Sequence, residues 1–146
     1  MKGARLLYVT ALVVLLADIA SKFAVRAALN VGESIALVPF LSLTHVQNTG
    51  IAFGMLQFDI LRWALVLVAL GVAAAIAVSC MHGKVREHYL AWGLIAGGAV
   101  GNAIDRIFIG TVTDFINFHF WPAFNVADSA LTVGVILLAW HAFRKE

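Results

Sequence analysis

Asn125–Phe143 reads NVADSALTVGVILLAWHAF, apolar almost throughout, yet an acid, Asp128, stands just inside its start. An acid at membrane depth costs roughly 2.5–3.5 kcal/mol on insertion scales, so it reads first as functional. A second acid, Asp114, lies upstream, between this segment and the apolar segment before it. Two carboxylates that can approach each other are the minimum equipment for splitting water against a carbonyl. Asp128 also has a plain structural role open to it. With Pro122 just upstream, Asn125 suits a helix N-cap and Asp128 the third helical position, a reciprocal capping pair. The two roles are compatible, because a helix start favours a carboxylate.

Composition defines the class around that segment. Of 146 residues, 62% are hydrophobic and 12% charged, too apolar for a soluble domain to cover. Four spans are expected, at about 6–28, 60–81, 89–108 and 125–143, each near the 20 residues or so that cross a hydrocarbon core. Lys2 and Arg5 precede the first, Lys84 and Arg86 separate the second and third, and Arg144 and Lys145 follow the fourth. The positive-inside rule then puts both termini and the 82–88 turn in the cytoplasm, and the 29–59 and 109–124 loops outside. Asp18, Lys22 and Arg26 occupy the place where a signal peptide would need a small-residue cleavage site, so the first segment reads as an uncleaved span.

With that orientation, the strongly polar residues gather at one leaflet. Asp18 and Lys22 lie toward the outer end of the first span, spaced to pair on one helix face. Asn102, Asp105 and Arg106 share a face at the outer end of the third. Asp18–Lys22 reads as a structural ion pair, and Asp105 as a structural acid held by a basic group or by backbone donors. Arg106 either snorkels to headgroups or holds a carboxylate or substrate carbonyl. Gly97-x-x-x-Gly101 is a small-residue helix-packing pattern, and no strand precedes it as a phosphate loop would need. Asn48-Thr49-Gly50 reads as a turn. Leu37–Val46 and Thr111–Phe118 are rich in β-formers and are expected to form a small outer sheet.

Other chemistries fit poorly. The single Cys80 excludes a disulfide framework and reads as a packing residue. The five histidines lack zinc-protease spacing, and no Gly-x-Ser-x-Gly is present. Trp63, Trp92, Trp121 and Trp140 read as interface anchors. No metal and no nucleic-acid partner is expected. Two further classes stay open on the residues alone: an ion-coupled small membrane transporter using the same carboxylates, and a scaffold using polar groups as helix glue.

Four short motifs, in order, make the chain resemble the lipoprotein signal peptidase (signal peptidase II) family. They are Asp18-x-x-Ser21-Lys22; Asn48-x-Gly50-x-Ala52-Phe53; Gly97-Gly98-x-x-Gly101-Asn102-x-x-Asp105-Arg106; and Asp114-Phe115 followed by Phe124-Asn125-x-Ala127-Asp128-Ser129. The resemblance implies an all-α integral membrane protein, a four-transmembrane-helix bundle with a small extracytoplasmic β-sheet and loop region, forming one domain over 1–146. It implies an aspartic endopeptidase of the bacterial inner membrane that cuts diacylglyceryl-modified prolipoproteins just before the lipidated cysteine. Asp114 and Asp128 would be catalytic; Asn48, Gly50, Asn102, Arg106 and Asn125 would line the peptide site. No cofactor is implied, membrane lipids surround the protein, and a monomer is expected. Ile51 departs from the smaller residue that many members carry, and the 109–124 loop is compact.

Overall fold

The computed structural model describes residues 2–50, 58–85 and 87–144. Helices α1 (Lys2–Ala28), α2 (Phe58–Met81), α3 (Tyr89–Phe108) and α4 (Val126–Phe143) match the expected spans to within a few residues. Strands β1 (Ser34–Val38) and β2 (Leu41–Asn48) lie between α1 and α2, and β3 (Val112–Asn117) between α3 and α4. Ile51, Ala52, Phe53, Arg86 and Lys145, which figure in the sequence reading, lie outside the described residues.

α1, α2 and α4 contain stretches long and apolar enough to cross a membrane: Gly3–Ala28, Asp59–Met81 and Val126–Phe143. α3 is not among them. Its four glycines and its polar Asn102, Asp105 and Arg106 dilute its hydropathy. It is the inner helix instead, packed against α1, α2 and α4 and buried at intervals from Ala91 to Asp105. The other three turn large apolar side chains outward, among them Leu12, Phe23, Leu67, Val68, Val133 and Ile136. In water such a surface would be a liability; against acyl chains it is an ordinary solvent-facing surface.

Helices in lipid gain little from the hydrophobic effect, so close packing of small residues must hold them together. A Cβ added at Gly93 would meet the Leu7 carbonyl oxygen at 2.6 Å, and one at Gly97 the Ala11 oxygen at 2.6 Å. One at Gly98 would meet the Ala127 oxygen at 2.5 Å. Gly93 and Gly97 thus press α3 onto α1, while Gly98 presses it onto α4. Away from the sheet, Leu7, Ile76, Cys80, Ile95 and Ala96 form an apolar cluster, with Cys80 as a buried packing residue.

The expected sheet exists, with one correction. It is antiparallel, in the order β1-β2-β3. Leu37–Val46 is not one extended segment: it breaks at Pro39–Phe40 into a hairpin, because proline supplies no N–H to a ladder. The β1–β2 register also shifts between Ala36 and Val38. Val25 and Leu29 pack with Phe115, joined by Leu43, Ile116 and Val126, which seats the sheet on the end of α1 and the start of α4.

Gly97→Ala is therefore expected to lower the thermal midpoint in detergent, by an overpacking penalty of about 1–3 kcal/mol. Gly71→Ala, where an added Cβ meets nothing within 4 Å, should leave it unchanged or higher. Equal midpoints for the two variants would reject the close-approach account.

Candidate active site

The sheet fixes the first acid. Asn48 pairs with Val112 in the β2–β3 register, so Asp114, two residues on, lies on the same face and diagonal to Asn48. Asn48 Nδ2 donates to Asp114 Oδ2 at 2.9 Å. Asn48 in turn accepts the Gly50 N–H at 2.7 Å, closing the expected turn, and Gly50 adopts a φ of 76° that suits glycine. Asp114 itself is 1% exposed.

The second acid is held by a helix start that is tied to the same strand. Phe115 and Ile116 donate their N–H groups to the Phe124 carbonyl oxygen at 3.0 and 2.8 Å, and Phe124 donates back to Ile116 at 3.1 Å. That bridge makes α4 begin beside β3. Asn125 is its N-cap: its Oδ1 accepts the Asp128 N–H at 2.9 Å, while Asp128 Oδ2 accepts the Asn125 N–H at 3.3 Å. The reciprocal cap is thus present. Its amide has a second use, because Asn125 Nδ2 donates to Asp114 Oδ1 at 2.7 Å. One side chain joins the two carboxylates to a common frame.

α1 and α3 complete the network. Asn102 Nδ2 donates to Asp128 Oδ1 at 2.7 Å, and its Oδ1 accepts from Asn125 Nδ2 at 3.1 Å and Lys22 Nζ at 2.9 Å. Lys22 pairs with Asp18 at 2.7 Å, both wholly buried, and Asp18 Oδ1 accepts the Ala127 N–H at 2.9 Å. A Cβ at Gly101 would lie 2.6 Å from Asp18 Oδ2, so glycine there admits the pair. Asp105 is held by a base and by a backbone donor together: Arg26 at 3.1 Å and the Thr113 N–H at 2.8 Å. Of the two alternatives for Arg106, its half-buried guanidinium turns inward. It donates to the Asn102 carbonyl at 3.4 Å, and its charge acts on Asp128, Asp114 and Asp105.

All ten residues singled out from sequence gather at this end of the bundle. Two participants were missed. Arg26 Nη1 donates to Thr113 Oγ1 at 3.0 Å as well as reaching Asp105. Arg26 continues the Asp18–Lys22 stripe at the next four-residue step, a signal the sequence carries; Thr113 carries none. Burial pushes the Asp114 carboxyl up from 3.8 to about 6. Hydrogen bonds from Asn48 and Asn125 and the Lys22 charge oppose that rise, and the negative charge of Asp128 adds to it.

Fold and site define a helical membrane protein with a carboxylate-bearing polar centre where its sheet meets the bundle. The family model described as "Signal peptidase (SPase) II" matches residues 10–144. The "Lipoprotein signal peptidase" of Burkholderia mallei is 43% identical over 143 residues, which cover 92% of this chain and 85% of that protein. That of Paraburkholderia phymatum is 43% identical over 144 residues, covering 92% and 86%. A bacterial membrane enzyme solved by the in meso method at 1.9 Å aligns with a TM-score of 0.82 at 28% identity, over 94% of this chain and 92% of that one. The chain belongs to the signal peptidase II family. These matches support a peptidase and lend nothing to the transporter alternative.

Removing the buried cation alone strands the Asp18 carboxylate, since Asp105 keeps Arg26 and the Thr113 N–H. Lys22→Met should destabilise the protein by about 3–5 kcal/mol, read as lost yield and a lower thermal midpoint in detergent; an unchanged midpoint would refute the ion-pair account. Asp114 gives a pH signature. Its folded-state proton affinity exceeds that of the unfolded chain, so its contribution is complete below about pH 3.8 and lost as pH rises through about 6. Relative to Asp114→Asn, the wild type should lose stability across that window, on the order of 3 kcal/mol. A difference independent of pH would show that burial does not favour the neutral acid.

Proposed function

We propose that the chain is an aspartic endopeptidase that removes the signal peptide from diacylglyceryl-modified prolipoproteins, cleaving just before the lipidated cysteine. The observation that carries this reading is the Asn125 side chain, which donates to Asp114 while capping the helix turn that bears Asp128. Family membership supplies the substrate class, through relatives named lipoprotein signal peptidase.

In this reading Asp128 takes a proton from a water molecule as its oxygen attacks the scissile carbonyl, and Asp114, holding the shared proton, gives it to the carbonyl oxygen. Collapse of the resulting diol returns one hydroxyl proton to Asp114 and sends the proton on Asp128 to the leaving amine. Water is split between the two products and the pair regains its starting state. The elevated proton affinity of Asp114 suits the donor role. Asn48, Gly50, Asn102, Arg106 and Asn125 border the pair and line the peptide site, with Asn48 exposed at its rim. Asp18, Lys22 and Asp105 hold the scaffold. No metal or organic cofactor takes part.

One domain crosses the bacterial inner membrane four times, α3 included, with both termini cytoplasmic and the site at the extracytoplasmic face. The protein acts as a monomer among membrane lipids. A site at headgroup depth lets the substrate's acyl chains stay in the bilayer while solvent reaches the acids.

Purified protein incubated with lipidated and unlipidated precursor provides the test, scored by gel mobility. Asp114→Asn and Asp128→Asn should each reduce cleavage of the lipidated precursor by roughly 10²–10⁴-fold while remaining folded. Processing by both variants at the wild-type rate would refute the catalytic assignment, and equal cleavage of the unlipidated precursor would refute the substrate assignment.

A further inference from the structure

Lys22 approaches Asn102 without any need of it for charge balance. Its ammonium already meets Asp18 at 2.7 Å, and the other nearby carboxylate, Asp105, stands back at 3.7 Å with Arg26 and the Thr113 N–H to hold it. Yet Lys22 Nζ sits 2.9 Å from Asn102 Oδ1. We infer that Lys22 is a positioning residue for cleavage: it fixes which way round the Asn102 amide sits, and so obliges that amide to offer Asp128 an N–H. The inference rests on Asp114 and Asp128 being the reacting acids.

The chemistry leaves one orientation. An ammonium has three donors and no acceptor, so only the amide oxygen can face it. Asn125 Nδ2 donates to the same oxygen at 3.1 Å, and Asn125 is itself fixed because its own oxygen receives the Asp128 backbone N–H. With Oδ1 turned toward Lys22, Nδ2 is left to reach Asp128 Oδ1 at 2.7 Å. A flipped amide would set two acceptor oxygens against each other and leave Lys22 facing an NH₂ group. The charged groups around this amide are Asp18 and Lys22 from α1, Asp105 and Arg106 from α3, Asp114 from β3 and Asp128 from α4. Among them Lys22 is the cation bonded to the amide oxygen. At metal centres, partners one step removed from the reacting group alter activity by about 10–100-fold when replaced, and an effect of that order is expected for the amide that holds Asp128.

The test removes both charges of the buried pair at once. Asp18→Asn/Lys22→Met leaves no stranded ion and no donor facing the Asn102 oxygen, and the full-length protein is assayed with lipidated precursor from about pH 5 to 9. Asn102→Asp is the second variant: its carboxylate still meets the Lys22 cation but gives Asp128 no donor. Both are expected to show kcat at least about tenfold lower, KM within about twofold, and the acid limb of the rate profile moved up by about one pH unit. A double variant whose profile keeps the wild-type shape and scales only with folded protein would make Lys22 purely structural and overturn the inference. Should the double variant fail to fold, an unmoved acid limb in Asn102→Asp overturns it equally. Asp128→Asn, run alongside, separates the two failures, since retained cleavage there removes the catalytic reading itself.

Discussion

A lysine and an aspartate, both wholly withdrawn from solvent, hold this molecule together. A charge buried alone costs far more than any single packing contact returns, so each partner exists in this place only because the other does. The pair then does more than neutralise itself. Asp18 receives the backbone N–H of Ala127 and so ties α1 to the first turn of α4, while Lys22 reaches across to Asn102 on α3. Three helices meet on one ion pair, and Gly101 leaves the room it requires. That meeting gives the end of the bundle that carries the acids a shared anchor on α1, α3 and α4.

From there the two carboxylates are held by elements of different kinds. Asp114 stands on a strand buried in the sheet; Asp128 stands on the opening turn of a helix. The backbone bridge between Phe124 and the Phe115–Ile116 pair fixes the short path from one to the other. Amides supply the remaining contacts: Asn48, Asn102 and Asn125 each donate to a carboxylate oxygen. Neutral donors orient an acid without cancelling its charge, which lets one member of the pair carry a proton while the other does not.

Much of this was legible in the sequence, for reasons that also explain what was not. Bilayer thickness sets the length of apolar helices, so the four helices were readable to within a few residues, and the glycine spacing announced the packing faces of α3. The capping pair at Asn125 and Asp128 is local, three residues apart, and could be read directly. Pro39 is equally local, yet the richness of Leu37–Val46 in β-formers masked the hairpin it creates. That Asp114 and Asp128 lie at one end of the bundle followed from charge segregation between loops; that Asn125 links them did not. The bond from Lys22 to Asn102 spans 80 positions, and that from Asp18 to Ala127 spans 109. Neither leaves any periodic trace, so only the folded chain reveals them. Thr113, an ordinary strand residue by pattern, was invisible for the same reason.

The β1–β2 hairpin has a bearing on how copies of the protein would meet in a membrane. Among the described residues β1 is the open margin of the sheet, and molecules confined to a plane meet margin to margin far more often than molecules free in three dimensions. A long flat margin there would invite neighbouring copies to zip their backbones together. This one is five residues long, is put out of step between Ala36 and Val38, and stops at a proline. So short and broken a selvedge offers little backbone for a neighbouring copy to stitch onto.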